Sequence, residues 1–376
     1  MFYFVKTIIL NILVFNIIFA QISIESTPKS LQFDLQKSIS NISMPEIDQD
    51  VLLQQDALET RKNIPFRFGA PIDVSLNLDN SGTWEETKLG KVWRLSITSE
   101  NAHSINLLYD RFIIPDGAEM FVYDQNMTTV LGAFTSKNNK SHETFSTAPT
   151  KGQNTVIEYF EPYDVDFNGE IQISRVVHAY KDVFYPEESR DYGDSGSCNN
   201  NVNCPEFIDW EDEVRSVAMI LSGGGFRLCT GSMVNNVRQD LTPYFLTAWH
   251  CIEGDNPSTF RFYFSKEASS CDQTWASLGP YAYGSNLVAD SDGIPGGDFA
   301  LLLINDEIEE DWNVFYAGWD ATEEYPLVSC GIHHPGGTGK KINYDNDIAY
   351  GAYWDTPADG LTHWQVNFDA GGTEGG

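Results

Sequence analysis

Apolar residues along this chain come mostly in short runs rather than at helical spacing. In Trp93-Arg94-Leu95-Ser96-Ile97-Thr98, the residues Trp93, Leu95 and Ile97 alternate with polar ones, as a half-buried strand requires. Residues 104–109, 119–123 and 155–159 continue the pattern with looser alternation, and Pro115-Asp116-Gly117 and Asn138-Asn139-Lys140 supply turns. Short strands punctuated by turns predict a β-sandwich of roughly a hundred residues. Before it, residues 21–65 are polar and weakly periodic, a mostly irregular lead-in with one short helix near 50–61. Between 186 and 203 the composition shifts to Asp, Ser, Gly and Asn, which marks a linker and a site open to proteolysis. A second series of strands follows at 214–221, 226–234, 244–249, 260–264, 299–304, 327–333 and 362–368. Helical periodicity is scarce there too, so the second half is expected to be all-β, with a barrel as its closed form.

A length of 376 residues calls for two or more cores. With 41% hydrophobic and 13% aromatic residues the chain is globular. The formal net charge of −31 excludes a phosphate-binding surface and hence a nucleic-acid partner; it favours solubility and attracts basic peptides at most. Residues 1–6 carry one positive charge, 7–19 are apolar apart from Asn11 and Asn16, and Ala20 is a small residue suited to cleavage. That pattern predicts a removed signal peptide rather than an anchor, and no later segment is apolar enough to span a membrane. All six cysteines follow residue 195. In an exported chain they predict a disulfide-stapled domain, and with no Cys-x-x-Cys pair no metal is expected.

Two segments carry candidate chemistry. In Phe245-Leu246-Thr247-Ala248-Trp249-His250-Cys251 an apolar strand runs into a histidine, with a cysteine next to it able to lock the turn. Imidazole titrates near neutrality and serves as a general base when held in one orientation. A bridge from Cys229, on the preceding strand, to Cys251 would pin that turn and stabilise by roughly 3 kcal/mol. In Gly297-Asp298-Phe299-Ala300-Leu301-Leu302, an aspartate heads an apolar strand. Such a carboxylate needs a partner, and His250 is one that would gain orientation from it. His333 and His334 are adjacent on a strand, point to opposite faces and are not expected to share a metal. His103, His142, His178 and His363 have no recognisable partners in the sequence.

Cys229-Thr230-Gly231-Ser232-Met233-Val234-Asn235-Asn236, Leu246-Thr247-Ala248-Trp249-His250-Cys251 and Asp298-Phe299-Ala300-Leu301-Leu302 resemble the trypsin-like fold. More narrowly, they are similar to the bacterial lysyl endopeptidase group. Ala317-Gly318-Trp319-Asp320, Ile332-His333-His334-Pro335 and Gly372-Thr373-Glu374 share its motifs, and Ser195-Gly196-Ser197-Cys198 with Cys204-Pro205 resembles the start of its mature enzymes. The resemblance spans about 193–376, and the β-rich part before it resembles the group's propeptide. Gly193-Asp194-Ser195-Gly196 has the look of a nucleophile loop, but Ser195 precedes His250 and Asp298, whereas this fold orders them His, Asp, Ser. In the family, the glycine-rich loop 371–376 leads into a Ser-Gly-Ser-Pro segment carrying the nucleophile and the oxyanion hole, so the serine is expected beyond Gly376. Trp354 lies where the family places an aromatic near the substrate cleft; a core tryptophan is the alternative. The resemblance implies bridges Cys229–Cys251 and Cys204–Cys271, with Cys198 pairing beyond residue 376. Cys330 is left free, paired beyond the end, or joined to Cys198.

The resulting expectation is an all-β precursor: a β-sandwich-like propeptide followed by an incomplete double β-barrel of the trypsin-like fold. Its divisions are signal peptide 1–20, lead-in 21–65, propeptide 66–185, processing region 186–197 and protease 198–376. It would be a secreted monomeric serine endopeptidase needing no cofactor and cleaving polypeptides after basic residues, with lysine favoured by resemblance. Its partners would be those polypeptides and its own propeptide, and attachment to the cell surface through a further C-terminal region stays open. The alternatives are a non-catalytic binding protein on the same scaffold, a serine protease of other specificity, and an N-terminal module that binds carbohydrate or a surface.

Overall fold

The structure is a computed structural model describing residues 24, 26–59, 64–184, 195–196, 198–293, 297–322, 324–353, 360–361 and 363–374. The expected signal peptide, most of the processing region and Trp354 lie outside the described residues.

The first half is a sandwich of two sheets. One runs in the order Asn41–Ser43, Gly90–Thr98, Asn154–Pro162, Glu119–Asp124, Val130–Phe134, with Thr83–Glu86 on the free side of Gly90–Thr98. The other runs Thr150–Lys151, Ser104–Ile113, Glu170–Ala179, Gly69–Asn77. Trp93, Leu95 and Ile97 are fully buried between the sheets, as their alternation requires. Arg94 and Glu158, on the opposite face, are buried as well. The lead-in covers them: Arg94 Nη2 donates to Gln36 O at 2.7 Å, and Ser30 N donates to Glu158 Oε1 at 3.1 Å. Residues 41–43 add a parallel strand to Gly90–Thr98. The lead-in is therefore an integral strap, held by these polar contacts and by isolated apolar residues, Ile39, Ile42 and Met44, packed on the sandwich.

Its helix, Gln49–Leu58, is capped by Asp48, which accepts from Val51 N at 3.1 Å. On that helix Asp56 meets Lys181 Nζ at 2.6 Å, Tyr180 Oη at 2.7 Å and Arg67 Nε at 2.8 Å. Burial opposes ionisation of Asp56, yet these donors outweigh it and hold the carboxyl below its ordinary range. Lead-in and sandwich are thus joined at the strand leaving toward residue 185.

In the second half an eight-stranded sheet runs Tyr281–Tyr283, Arg261–Tyr263, Val217–Leu221, Arg227–Val234, Tyr244–Thr247, Ala300–Ile304, Ser285–Asp290, with Phe66–Arg67 of the first half paired to Arg227–Val234. Ala218, Ile220, Cys229, Phe245, Phe262, Ala282 and Leu302 fill the inside of this curled sheet. Beyond it, Ser329–His333, Lys341–Asp345 and Asn200–Asn201 form a smaller sheet, and Tyr350–Ala352 pairs with His363–Gln365. Among the described residues, then, one sheet is barrel-like and the second is a partial one. Some boundaries differ from expectation. Helix Glu211–Ser216 takes residues 214–216 out of the expected strand 214–221, because Glu211, Asp212 and Glu213 in its first turn favour the positive helix end. The expected strand 244–249 ends at Thr247, where the chain enters a tight turn, and the expected strand 362–368 is His363–Gln365.

The two halves share one core. Met219, Leu221, Leu228, Tyr263, Tyr281 and Tyr283 on the outer face of the barrel sheet are buried in the same cluster as Phe68, Leu107, Phe145 and Val176 of the sandwich. Gly225, at φ +78°, permits the approach, since a Cβ there would sit 2.7 Å from both Asn106 and Leu108. Leu221→Ala is expected to cost roughly 2–5 kcal/mol and to shift the denaturant midpoint of both halves together. Two separated transitions would show that they fold independently.

Histidines sheltered from solvent, His142 among them, make the fold sensitive to acid. Burial brings His178 and His333 each down to about 4, and holds His334, which is fully enclosed, well below 6.5. His178 has partners after all: Ser99 Oγ at 2.8 Å from Nδ1 and Gln49 Nε2 at 3.1 Å from Nε2. Below pH 6.5 the unfolded chain takes up protons that the folded one refuses, so stability falls with pH from about 6.5 down to about 4. His178→Gln is expected to flatten that slope in denaturant midpoints measured across the window.

Candidate active site

Strand Tyr244–Thr247 ends at Ala248, and the chain turns at once through Trp249–Cys251. The turn is fastened by the Cys229–Cys251 disulfide, whose Cα atoms are 6.1 Å apart. Thr247 Oγ1 adds a hydrogen bond to Thr230 O at 2.9 Å. His250 is thereby held at the end of the strand, with Ala248 and Trp249 packed on the barrel core beneath it. Asp298 stands just before the neighbouring strand Ala300–Ile304, in a left-handed conformation at φ +49°.

Both carboxylate oxygens of Asp298 are committed to His250. Oδ2 lies 2.7 Å from the ring Nδ1, and Oδ1 accepts the His250 backbone N–H at 3.0 Å. The side chains are 19% and 13% exposed, so the pair is shielded yet reachable. A carboxylate can only accept; the proton therefore belongs on Nδ1, and Nε2 is left as the basic atom of the ring. The backbone bond fixes the carboxylate relative to the turn, so the imidazole cannot rotate without losing its Nδ1 contact.

Around this pair the remaining motifs fall into place. Ala317 bridges in parallel to Val234, and Trp319 Nε1 donates to Asn235 O at 3.0 Å. His334 joins the barrel sheet to the smaller one: its N–H donates to Thr230 Oγ1 at 3.1 Å, and its Nδ1 lies 2.9 Å from Thr338 O. His333 accepts from Glu374 N at 3.4 Å. The two rings serve different contacts, as their opposite faces imply. The glycine-rich segment is seated on Asn343, which donates to Gly372 O at 2.7 Å, and a Cβ on Gly371 would lie 2.7 Å from the Asn343 Cβ. Glu374 Oε1 accepts from Gly196 N at 2.7 Å and Asn199 Nδ2 at 2.9 Å. Gly196, next to Ser195, is consequently tethered beside that segment, a contact that the order of motifs alone could not reveal.

Cys204 and Cys271 form a second bridge. Cys198 and Cys330 are both thiols, so they are not joined to each other. Burial, with Glu213 nearby, pushes the Cys330 thiol up to about 12 and keeps it unreactive. Cys229, His250 and Cys251 lie close enough to suggest a metal site, but two of the three sulfur and nitrogen donors are spent in the disulfide. Asp345, Asp347 and Asp369 also converge, with oxygens that accept from the Asp347, Asn367 and Asn346 backbone N–H groups.

Residues 192–376, which contain all of these groups, match the family model described as lysyl endopeptidase, C-terminal domain. Through those residues the second half of the chain is similar to the lysyl endopeptidase family. The lysyl endopeptidase of Pseudomonas aeruginosa is 27% identical over 227 residues, which cover 54% of this chain and 46% of that protein. The chain thus matches about half the length of this curated relative. Within the lysyl endopeptidase match, the Cys229–Cys251 clamp is the feature most open to a structural test. Replacing both cysteines by alanine is expected to cost roughly 3 kcal/mol and to speed amide exchange at His250 about tenfold. Unchanged exchange would mean that Asp298 alone holds the turn.

Proposed function

We propose that this protein is the precursor of an exported serine endopeptidase in which His250 is the general base and Asp298 its orienting partner. The observation that carries the reading is the double engagement of His250 by Asp298 on a disulfide-locked turn. It leaves a shielded imidazole with one nitrogen fixed as donor and the other available to accept a proton.

The nucleophile is the serine of a segment continuing from the loop 371–376. As its Oγ attacks the scissile carbonyl carbon, Nε2 of His250 takes the hydroxyl proton, and the imidazolium is stabilised by Asp298. The C–N bond breaks as that proton passes to the leaving amine, leaving an acyl-enzyme. Water then gives its proton to the same nitrogen, attacks the ester carbonyl and releases the acid. The glycine segment supplies small residues where backbone N–H groups face the developing oxyanion. Polypeptides with basic residues fit a chain of formal charge −31, which draws cations at low ionic strength. Lysine as the preferred residue, and Trp354 as an aromatic cover for its stem, rest on family resemblance.

Residues 1–20 act as the export signal, and the two disulfides fit an oxidising compartment. The sandwich is the propeptide, and the chain is processed within 186–197. The test is hydrolysis of lysyl, arginyl and glutamyl peptides by the full-length gene product. Cleavage after lysine, abolished by His250→Ala and reduced about 10⁴-fold in kcat by Asp298→Asn, is expected. A folded full-length product that cuts none of the three peptides would contradict the assignment.

A further inference from the structure

We propose that Asn343 and Glu374 are positioning residues, which hold the glycine segment 371–374 in one place and so set kcat without touching the substrate. The effect on kcat rests on the reading that this segment leads to the nucleophile; the holding itself rests on the contacts alone.

Asn343 lies in the strand Lys341–Asp345 and is fully buried. A buried amide is costly unless its polar atoms are bonded. Its Nδ2 donates to Gly372 O at 2.7 Å, while its Oδ1 has no hydrogen-bond partner. The bond that offsets its burial is therefore the one to the glycine segment. Two glycines make room for it. Gly331, on the neighbouring strand Ser329–His333, stands opposite Asn343, and a Cβ there would run into the Asn343 Oδ1. Gly371, at φ +82°, lets the segment descend onto the strand: a Cβ there would lie 2.7 Å from the Asn343 Cβ and 3.0 Å from Ile342 O. Three stretches of chain thus converge on one side chain.

Glu374 holds the other end of the segment. Its Oε1 accepts from Gly196 N at 2.7 Å and from Asn199 Nδ2 at 2.9 Å, and its own N–H donates to His333 Nε2 at 3.4 Å. Hydrogen bonds to an ionised carboxylate are stronger than those between neutral groups. Asn199 adjoins Asn200–Asn201, which pairs with Lys341–Asp345. The carboxylate is thereby tied back to the strand that carries Asn343. Its donors are a peptide N–H and a side-chain amide, so neither bond needs a free chain terminus.

A peptide unit is planar, with its C=O and N–H pointing opposite ways. Fixing Gly372 O consequently aims the Thr373 N–H, and the Glu374 contacts fix the path that follows. Glycines alone leave a segment many backbone states, and these side chains supply the order that the glycines do not. In the mechanism proposed above, backbone N–H groups must already face the developing oxyanion when attack begins. A segment released from either anchor slows that step while leaving substrate affinity alone.

The experiment uses the full-length gene product carrying Glu374→Ala, Glu374→Gln or Asn343→Leu, with kcat expressed per active site titrated by a fluorophosphonate. Glu374→Ala and Asn343→Leu are each expected to lower kcat about tenfold and to leave KM within about twofold of the parent. Gln keeps an oxygen that accepts both bonds, so Glu374→Gln is expected to recover most of that loss. Glu374 is exposed, and its variants decide the matter if Asn343→Leu fails to fold. An unchanged kcat in folded Glu374→Ala, or a raised KM at constant kcat, would overturn the proposal. Amide exchange across 371–374 reads the holding without any activity. It is expected to quicken about tenfold in Glu374→Ala while exchange in Val217–Leu221 stays as in the parent; equal exchange in both would overturn the proposal as well. A parent that cuts no peptide would sink the protease reading and the kcat claim with it, and exchange would still decide whether the two side chains hold the segment.

Discussion

The architecture depends on a strand, Val217–Leu221, that has no face left for water. Strand Val217–Leu221 and its neighbours bury Ala218, Ile220, Phe245 and Phe262 inward, and Met219, Leu221, Leu228 and three tyrosines outward. The inner face builds the core on which the His250 turn rests. The outer face is satisfied only by the sandwich, whose own strands bring Phe68, Leu107, Phe145 and Val176 to it. Burying a side chain of this size contributes roughly 1.5–3 kcal/mol, so the six outer residues tie the halves together far more strongly than any single ion pair would.

This two-sided burial separates support from chemistry. Burial is deepest where the sheet is covered on both sides, and the pair His250 and Asp298 lies at strand ends just beyond it. There, geometry is set by a few specific bonds: a disulfide, one backbone N–H and one ring N–H on a single carboxylate. Asp298 accepts strain in its left-handed backbone, and in return its two oxygens face the turn from a fixed direction. His334, enclosed beneath Thr230, links this end of the barrel to the smaller sheet that carries the glycine segment. His250, the proposed general base, and the glycine segment are thereby fastened to one frame.

Much of this was legible in the sequence because the chemistry needs uncommon residues at strand ends. Histidine beside cysteine, and aspartate before an unbroken apolar strand, stand out from any background of alternating β-structure. The sandwich was legible from Trp93, Leu95 and Ile97 for the same reason. What the pattern hid were contacts between distant segments. The strap is held largely by backbone and polar groups, with Ile39, Ile42 and Met44 too few to leave a clear periodic trace. The cover of the barrel had one sign, the lack of alternation in Val217-Ala218-Met219-Ile220-Leu221, but nothing in those five residues names Phe145 or Ser146 as the partner. His178 likewise finds Ser99 and Gln49 only once the strands are paired.

The central claim is that His250, oriented by Asp298, activates a serine in the full-length protein. Labelling with a fluorophosphonate probe tests it most directly, because the probe reacts only with a serine that a neighbouring base has activated. The account predicts labelling of a single serine that follows the loop 371–376 in the full-length gene product, and its loss in a folded His250→Ala variant. Labelling that persists in that variant, or that falls on Ser195, would contradict it.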